Sequence, residues 1–266
     1  MEIGSLNKTA NLFTSMKLIL FLLPFLCFAH PFDYDLHLTT IPGKNGRTMV
    51  CFHGYKHSYK IIYALQDYGA TLVSFNFPDH QGSHRQTPSF GTRDELLPAL
   101  YAIKQCILEQ KLGAIDLYGF SAGGGAVINL LAALNSKENL GLSEKERTEI
   151  LTAIQNGLII LDTPLKSVEE IIEFRGSSPE LERIAKTYRD NGTRPIDSIS
   201  KLKGLRLDIL LHFQDPDEIL FNRDDTLFIE RLKNANGGKT TVIIANEGGH
   251  LAPHESLLRA YRLQRE

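Results

Sequence analysis

The chain has 266 residues, of which 42% are hydrophobic and 23% charged, and its formal net charge is −2. That composition lies close to the globular average and excludes disordered, collagen-like and long coiled-coil chains. The charge balance lacks the basic excess of a nucleic-acid binder, and three cysteines without a CxxC pair exclude a disulfide scaffold or a zinc ribbon.

Leu18 to Ala29 form an apolar run, interrupted by Pro24 and preceded by Lys17. The run is shorter than the roughly 20 residues a helix needs to cross a bilayer core. A basic residue, a short apolar stretch and small residues before a cut describe a secretory signal. Cys27 and Ala29 take the −3 and −1 positions, so cleavage is expected before His30. Met16 stands directly before Lys17, so translation starts at either Met1 or Met16. Residues 1–29 are thus read as a signal peptide, with a retained hydrophobic anchor as the alternative. The expected location is secreted or periplasmic, or membrane-anchored on the alternative, with membrane contact confined to this segment. Cys51 and Cys106 lie in apolar segments and read as buried small hydrophobes, although an oxidising compartment would permit one disulfide between them.

After residue 30, short β-branched and aromatic runs alternate with longer helical patterns. Tyr34 to Thr40 reads as an antiparallel edge strand turned back through Pro42 to Gly46. Met49 to Phe52, Thr71 to Phe77, Ala114 to Tyr118, Leu158 to Leu161, Leu207 to Phe213 and Thr240 to Ala245 follow as strands. Most are nearly continuous apolar runs, the pattern of parallel strands covered on both faces. Between them, Leu96, Leu100, Ile103 and Ile107 share one side of a helix whose start is blurred by Pro98. Ser143 with Glu146 and Ser167 with Glu170 fit capping boxes, and Ser178-Pro179 supplies an N-cap with proline in the first turn. This order predicts an α/β fold with a mostly parallel, doubly wound sheet flanked by helices. The stretch 164–200 breaks the alternation with two short amphipathic helices and is read as a small helical cap inserted into one domain, residues 30–266, with an ordinary connecting pair of helices as the alternative.

The decisive segment is the strand ending in Tyr118, then Gly119-Phe120-Ser121-Ala122-Gly123, then the helical run from Ala126 to Leu134. A serine on such a strand-to-helix turn lifts its Oγ above the sheet edge, and glycines on both sides leave room for backbone contact. The helix N-terminus behind it supplies positive dipole and N–H groups for a developing oxyanion. A hydroxyl becomes a useful nucleophile only when a base takes its proton. His250, after the last strand and Gly248-Gly249, is the expected base, with His254 the competitor. His250 and His254 also have a helical spacing that metal ligands use, but no third ligand is evident. The third member must hold one imidazole tautomer. Asp217, in the loop after the strand ending at Phe213, is the first choice, Asp215 the alternative and Asp162 a third. The backbone N–H groups of Tyr55 and Ala122 are expected to form the oxyanion hole, and His53 to brace the Gly54 turn.

Together these residues resemble the α/β-hydrolase superfamily from about Tyr34 to the last helix: His53-Gly54 after a strand, Gly119 to Gly123, the Asp215/Asp217 loop and Gly249-His250, in the order nucleophile, acid, base. Asp79-His80-Gln81-Gly82 also looks like the family's turn after its next strand, and His80 and His84 are read as loop residues without a metal pattern. The family implies an eight-stranded sheet with one antiparallel strand, whereas the region before Met49 has room for one strand only. The resemblance implies a serine hydrolase that cleaves an acyl ester, of carboxylesterase or lipase type, through an acyl-serine intermediate. No metal and no organic cofactor is expected, and the partner is a small-molecule or lipid ester rather than nucleic acid. Thioester, amide or peptide cleavage on the same residues is the alternative, and a non-catalytic binding protein with this fold is a further one.

Overall fold

The computed structural model describes residues 35–78, 89–215, 217, 219–220, 225–246, 249–250 and 254–265. The signal or anchor segment, the Asp79 to Gly82 turn, His80 and His84 lie outside the described residues. Among the described residues no helix is long and apolar enough to cross a membrane.

Among the described residues seven strands form one sheet: β1 Thr39–Ile41, β2 Thr48–Phe52, β3 Thr71–Ser74, β4 Asp116–Phe120, β5 Ile159–Asp162, β6 Ile209–Gln214 and β7 Thr240–Ala245. Their order is β1-β3-β2-β4-β5-β6-β7, and every neighbouring pair is parallel except β1 with β3. The helices are α1 Arg93–Lys104, α2 Ala122–Asn135, α3 Glu144–Gln155, α4 Val168–Arg175, α5 Pro179–Asn191, α6 Asp225–Ala235 and α7 Glu255–Arg265, with a short helical turn Pro195–Ser198 between α5 and β6.

The expected strands are all present with shifted limits, and two of the shifts have identifiable reasons. The first is confined to Thr39–Ile41, because His37 has φ 44 and its N–H turns back to Asp35 Oδ1. The third stops at Ser74 because the next amides bond elsewhere: Asn76 N–H to the Leu36 carbonyl and Phe77 N–H to His53 Nε2. Pro98 lies inside α1 rather than at its start. Ser143 and Glu146 form the reciprocal capping box, and Ser167 and Ser178 each cap a helix through the side-chain oxygen.

Alternate residues of the central strands (Met49, Cys51, Leu72, Tyr118, Phe120, Ile160 and Leu210) point into one core with Leu257 and Tyr261 of α7. Period-2 alternation places them all on one face. At the opposite end of the sheet from the site, the buried Asp116 carboxylate accepts from Arg47 at 2.7 Å, Arg265 at 2.6 Å, Tyr261 at 3.0 Å and the Leu158 amide at 2.9 Å. The far end of α7 is therefore fixed to β4, which matters because His254 stands directly before this helix. Cys51 and Cys106 are both buried and free.

Candidate active site

Ser121, Asp217 and His250 follow the ends of β4, β6 and β7, and Asp162 is the last residue of β5; these four strands are consecutive in the sheet. Parallel strands end at the same edge, the usual position for a site in an open α/β sheet.

Ser121 has φ 52 and ψ −118, a conformation that non-glycine residues seldom adopt. Strain of this kind costs on the order of 1–3 kcal/mol and persists only where surrounding contacts enforce it. Here the Ser121 N–H donates to the Asp162 carbonyl at 3.0 Å, and its carbonyl accepts from Gly124 at 2.9 Å and Leu165 at 2.8 Å. The glycines answer to close backbone approach. A Cβ on Gly119 would stand 2.7 Å from Gly124 Cα, and one on Gly123 would stand 2.2 Å from the Phe52 carbonyl oxygen.

His250 and Ser121 line the same cavity, and the His250 ring packs 5.0 Å from the ring of Phe120, the residue before the serine. Its Nδ1 lies 2.7 Å from Asp217 Oδ2. A carboxylate can only accept there, so Nδ1 carries the proton and Nε2 is left with the lone pair a base requires. The other Asp217 oxygen accepts from the Ile219 and Leu220 amides, each at 2.7 Å. Burial pushes the Asp217 carboxyl up, but the His250 contact and the two amides outweigh it and hold the group below the ordinary aspartate range. Asp215 is used differently: its backbone N–H bonds the Ala245 carbonyl at 2.9 Å.

Asp162 and His254, the remaining alternatives for acid and base, are brought together with each other. His254 Nδ1 meets Asp162 Oδ1 at 2.6 Å, and neither residue lines the cavity. His212 completes this buried group, and nothing in its run of strand residues marked it in the sequence.

Tyr55 and Ala122 also line the cavity. Ala122 opens α2, so its N–H is among those a helix cannot satisfy internally. His53 is buried and bridges loops: Nε2 accepts from the Phe77 amide at 3.2 Å, and Nδ1 reaches the Gly54 carbonyl at 2.9 Å. That pairing fits a neutral ring, with the proton on Nδ1.

The cavity measures about 520 Å³. Its walls include Val168 and Ile171 of α4, Leu181 and Ile184 of α5, and Phe90, Leu165 and Leu220. Tyr55 and Lys56 are joined to α5 by Glu180, whose Oε1 accepts from the Tyr55 hydroxyl at 2.5 Å and whose Oε2 accepts from Lys56 Nζ at 2.8 Å. The arrangement offers a hydroxyl on a strained backbone, a carboxylate-bound imidazole and a helix N-terminus around one largely apolar chamber.

A mostly parallel sheet with a serine at this turn and an imidazole from the last strand defines the α/β-hydrolase fold, and the chain has that fold. Among solved structures it is similar to an esterase of Pyrococcus furiosus, with 17% identity and a TM-score of 0.57 over 87% of this chain and 93% of that one. Est1E of Butyrivibrio proteoclasticus, solved with ferulic acid bound, gives 17% identity and a TM-score of 0.57 over 87% and 96% of the two chains. Naproxen esterase of Bacillus subtilis gives 15% identity and a TM-score of 0.53 over 95% of each chain. No protein-family model and no curated protein matches the sequence.

Proposed function

We propose that the protein is a serine hydrolase that cleaves carboxylic esters through an acyl-Ser121 intermediate. Ser121 Oγ attacks the acyl carbonyl while His250 Nε2 takes the hydroxyl proton. The same proton passes to the leaving alcohol as the C–O bond breaks. His250 then draws a proton from water, whose oxygen attacks the acyl-serine carbon, and returns that proton to Ser121 Oγ as the bond from the acyl carbon to Oγ breaks and the acid leaves. Asp217 keeps the imidazole in the required tautomer and balances its charge when protonated. The amides of Tyr55 and Ala122 receive the oxyanion, a contribution of roughly 2.7–4 kcal/mol per donor in comparable sites.

The observation that carries this reading is the 2.7 Å contact between Asp217 and the Nδ1 of His250, whose ring lines one cavity with the strained Ser121. The fold of the esterases named above supports an ester as substrate. The helices α4 and α5 act as a cap whose aliphatic side chains receive the acyl group.

Reaction with a fluorophosphonate tests the reading. Covalent labelling at Ser121, absent in Ser121→Ala, is expected; a folded sample that does not label contradicts it. A series of p-nitrophenyl esters, run beside the matching thioesters and anilides, is expected to favour the esters. Each added methylene that enters the apolar cavity should lower KM about fourfold, from about 0.8 kcal/mol of burial per CH₂, until the cavity is full. Faster turnover of thioester or anilide would assign the alternative chemistry to the same residues.

A further inference from the structure

Behind the cavity, His254 has acceptors at both ring nitrogens. Nδ1 lies 2.6 Å from Asp162 Oδ1, and Nε2 lies 3.1 Å from the Gly249 carbonyl. A backbone carbonyl can only accept, so Nε2 bears a proton. Asp162 is fully buried, and its Oδ2 accepts from the Tyr118 hydroxyl at 2.7 Å while His212 Nδ1 approaches Oδ1 at 3.2 Å. Donors on both oxygens favour the ionised carboxylate, and an ionised carboxylate requires a proton on His254 Nδ1 as well. His254 is then an imidazolium, ion-paired with Asp162 out of contact with water. His212 stacks on it with ring centroids 4.2 Å apart, and the buried His212 Nε2 has no hydrogen-bond partner among the described residues. A neutral His212 fits that place, since a second cation stacked there would be repelled.

A metal ion held by these three residues fits the distances poorly. Ligands about 2.1 Å from one tetrahedral ion stand about 3.4 Å apart, well beyond the 2.6 Å between His254 and Asp162.

The pair reaches both halves of the proposed chemistry through the backbone. Gly249, whose carbonyl His254 holds, is the residue before His250. The Asp162 carbonyl accepts the N–H of Ser121 at 3.0 Å. His254 is itself rooted in α7, where its carbonyl accepts from the Leu258 amide at 3.1 Å. We infer that Asp162 and His254 form a second carboxylate–imidazolium pair that positions His250 relative to Ser121, with His254 fixing the backbone before the base and Asp162 tying it to the nucleophile's turn. They are positioning residues, and the inference rests on Ser121 and His250 being nucleophile and base.

The experiment uses the full chain and begins with fluorophosphonate labelling of the parent, so that failure at Ser121 itself is seen separately. His254→Phe is expected to lower both the labelling rate and kcat per labelled site by about 10–100-fold, the usual cost of removing a support behind a functional histidine. KM should stay within about twofold. His254→Gln, which keeps an N–H donor, is expected to restore part of kcat. Tyr261→Phe, which loosens the far end of the same helix, is the structural control, expected to lower the unfolding midpoint with kcat per labelled site near the parent's. An unchanged kcat in His254→Phe, or an equal fall in Tyr261→Phe, overturns the proposal. Should His254→Phe fail to fold, ¹⁵N spectra of the histidine-labelled parent decide. Both ring nitrogens of His254 should be protonated at about pH 8, well above the value of about 6.5 at which free histidine loses its charge. A singly protonated ring overturns the proposal, as does a stoichiometric metal whose chelation abolishes activity.

Discussion

His250 Nδ1 stands 2.7 Å from Asp217 Oδ2, while the other oxygen of that carboxylate is held by the Ile219 and Leu220 amides. This division makes Asp217→Asn an informative substitution. The asparagine oxygen can keep both amide contacts, so the amide NH₂ must face His250 and force its proton onto Nε2. A nearly unchanged fold with a kcat lower by about 10³–10⁴-fold is expected, the known cost of the wrong tautomer in such a triad. Asp215→Asn leaves the backbone contact to Ala245 intact, and its kcat should stay within about threefold. Steady-state kinetics on the two variants, beside their unfolding curves, separate the two aspartates.

Stability should fall in acid through two carboxylates. Burial pushes Asp162 up, but its hydrogen bonds with His212 and His254 and the charge of His254 outweigh this and hold it far below the ordinary range; Asp217 is held down through His250 and two amides. Both native values are depressed, so between them and the unfolded value of about 3.9 the unfolded chain binds more protons. The stabilisation is therefore complete above about pH 5 and is lost as pH falls towards the native values, at up to about 1.4 kcal/mol per pH unit for each group. Urea midpoints from about pH 6 to pH 3 should show this decline, and Asp217→Asn should show a shallower one. A midpoint that does not change over that range would contradict the assigned contacts.

Much of this architecture was legible in the chain. Continuous apolar runs located the strands, because strands covered on both faces leave no polar alternation. Gly119, Ser121 and Gly123 marked the turn, because a close strand–helix approach admits no side chain at the flanking positions. Two features escaped. The limits at His37 and Ser74 depend on which distant group accepts or donates to each amide, and no local pattern encodes that. His212 sits in an apolar run that reads as strand, and its role follows only once β5, β6 and the start of α7 are brought together. Asp162 and His254 were both visible, each as an alternative for a place in the triad. Their pairing depends on the sheet order, which sets β5 beside β6 and lays α7 across the same core.

The cysteines should behave as core residues. Cys51 is fully buried and Cys106 is 1% exposed. Burial pushes the Cys106 thiol up to about 12 and raises Cys51 as well, so neither forms appreciable thiolate near neutral pH. Iodoacetamide is expected to leave the peptides of both residues unmodified in the native protein and to label both once it is unfolded. The masses of those peptides should be the same with and without reductant. A linked Cys51–Cys106 peptide in the non-reduced digest would contradict the free, buried state.

Glu180 fixes α5 over the cavity, and the effect of loosening it should depend on acyl length. It joins the first turn of α5 to Tyr55 and Lys56, while Leu181 and Ile184 of the same helix face the chamber. The Lys56 and Tyr55 hydrogen bonds, in that order, hold its carboxyl below the ordinary glutamate range, although the ion pair is partly exposed and contributes little to global stability. Glu180→Ala should accordingly leave the unfolding midpoint close to the parent's. An acetyl ester places the fewest atoms in the chamber, so its KM should change least. A hexanoyl or longer chain would pack against a helix no longer held in place, and its KM should rise about two- to fivefold, equivalent to roughly 0.4–1 kcal/mol. Kinetics across the p-nitrophenyl series with parent and variant read this directly. An equal change for acetyl and hexanoyl esters would place the effect on Tyr55 and the oxyanion contact instead, and would argue against α5 as the wall that receives the acyl chain.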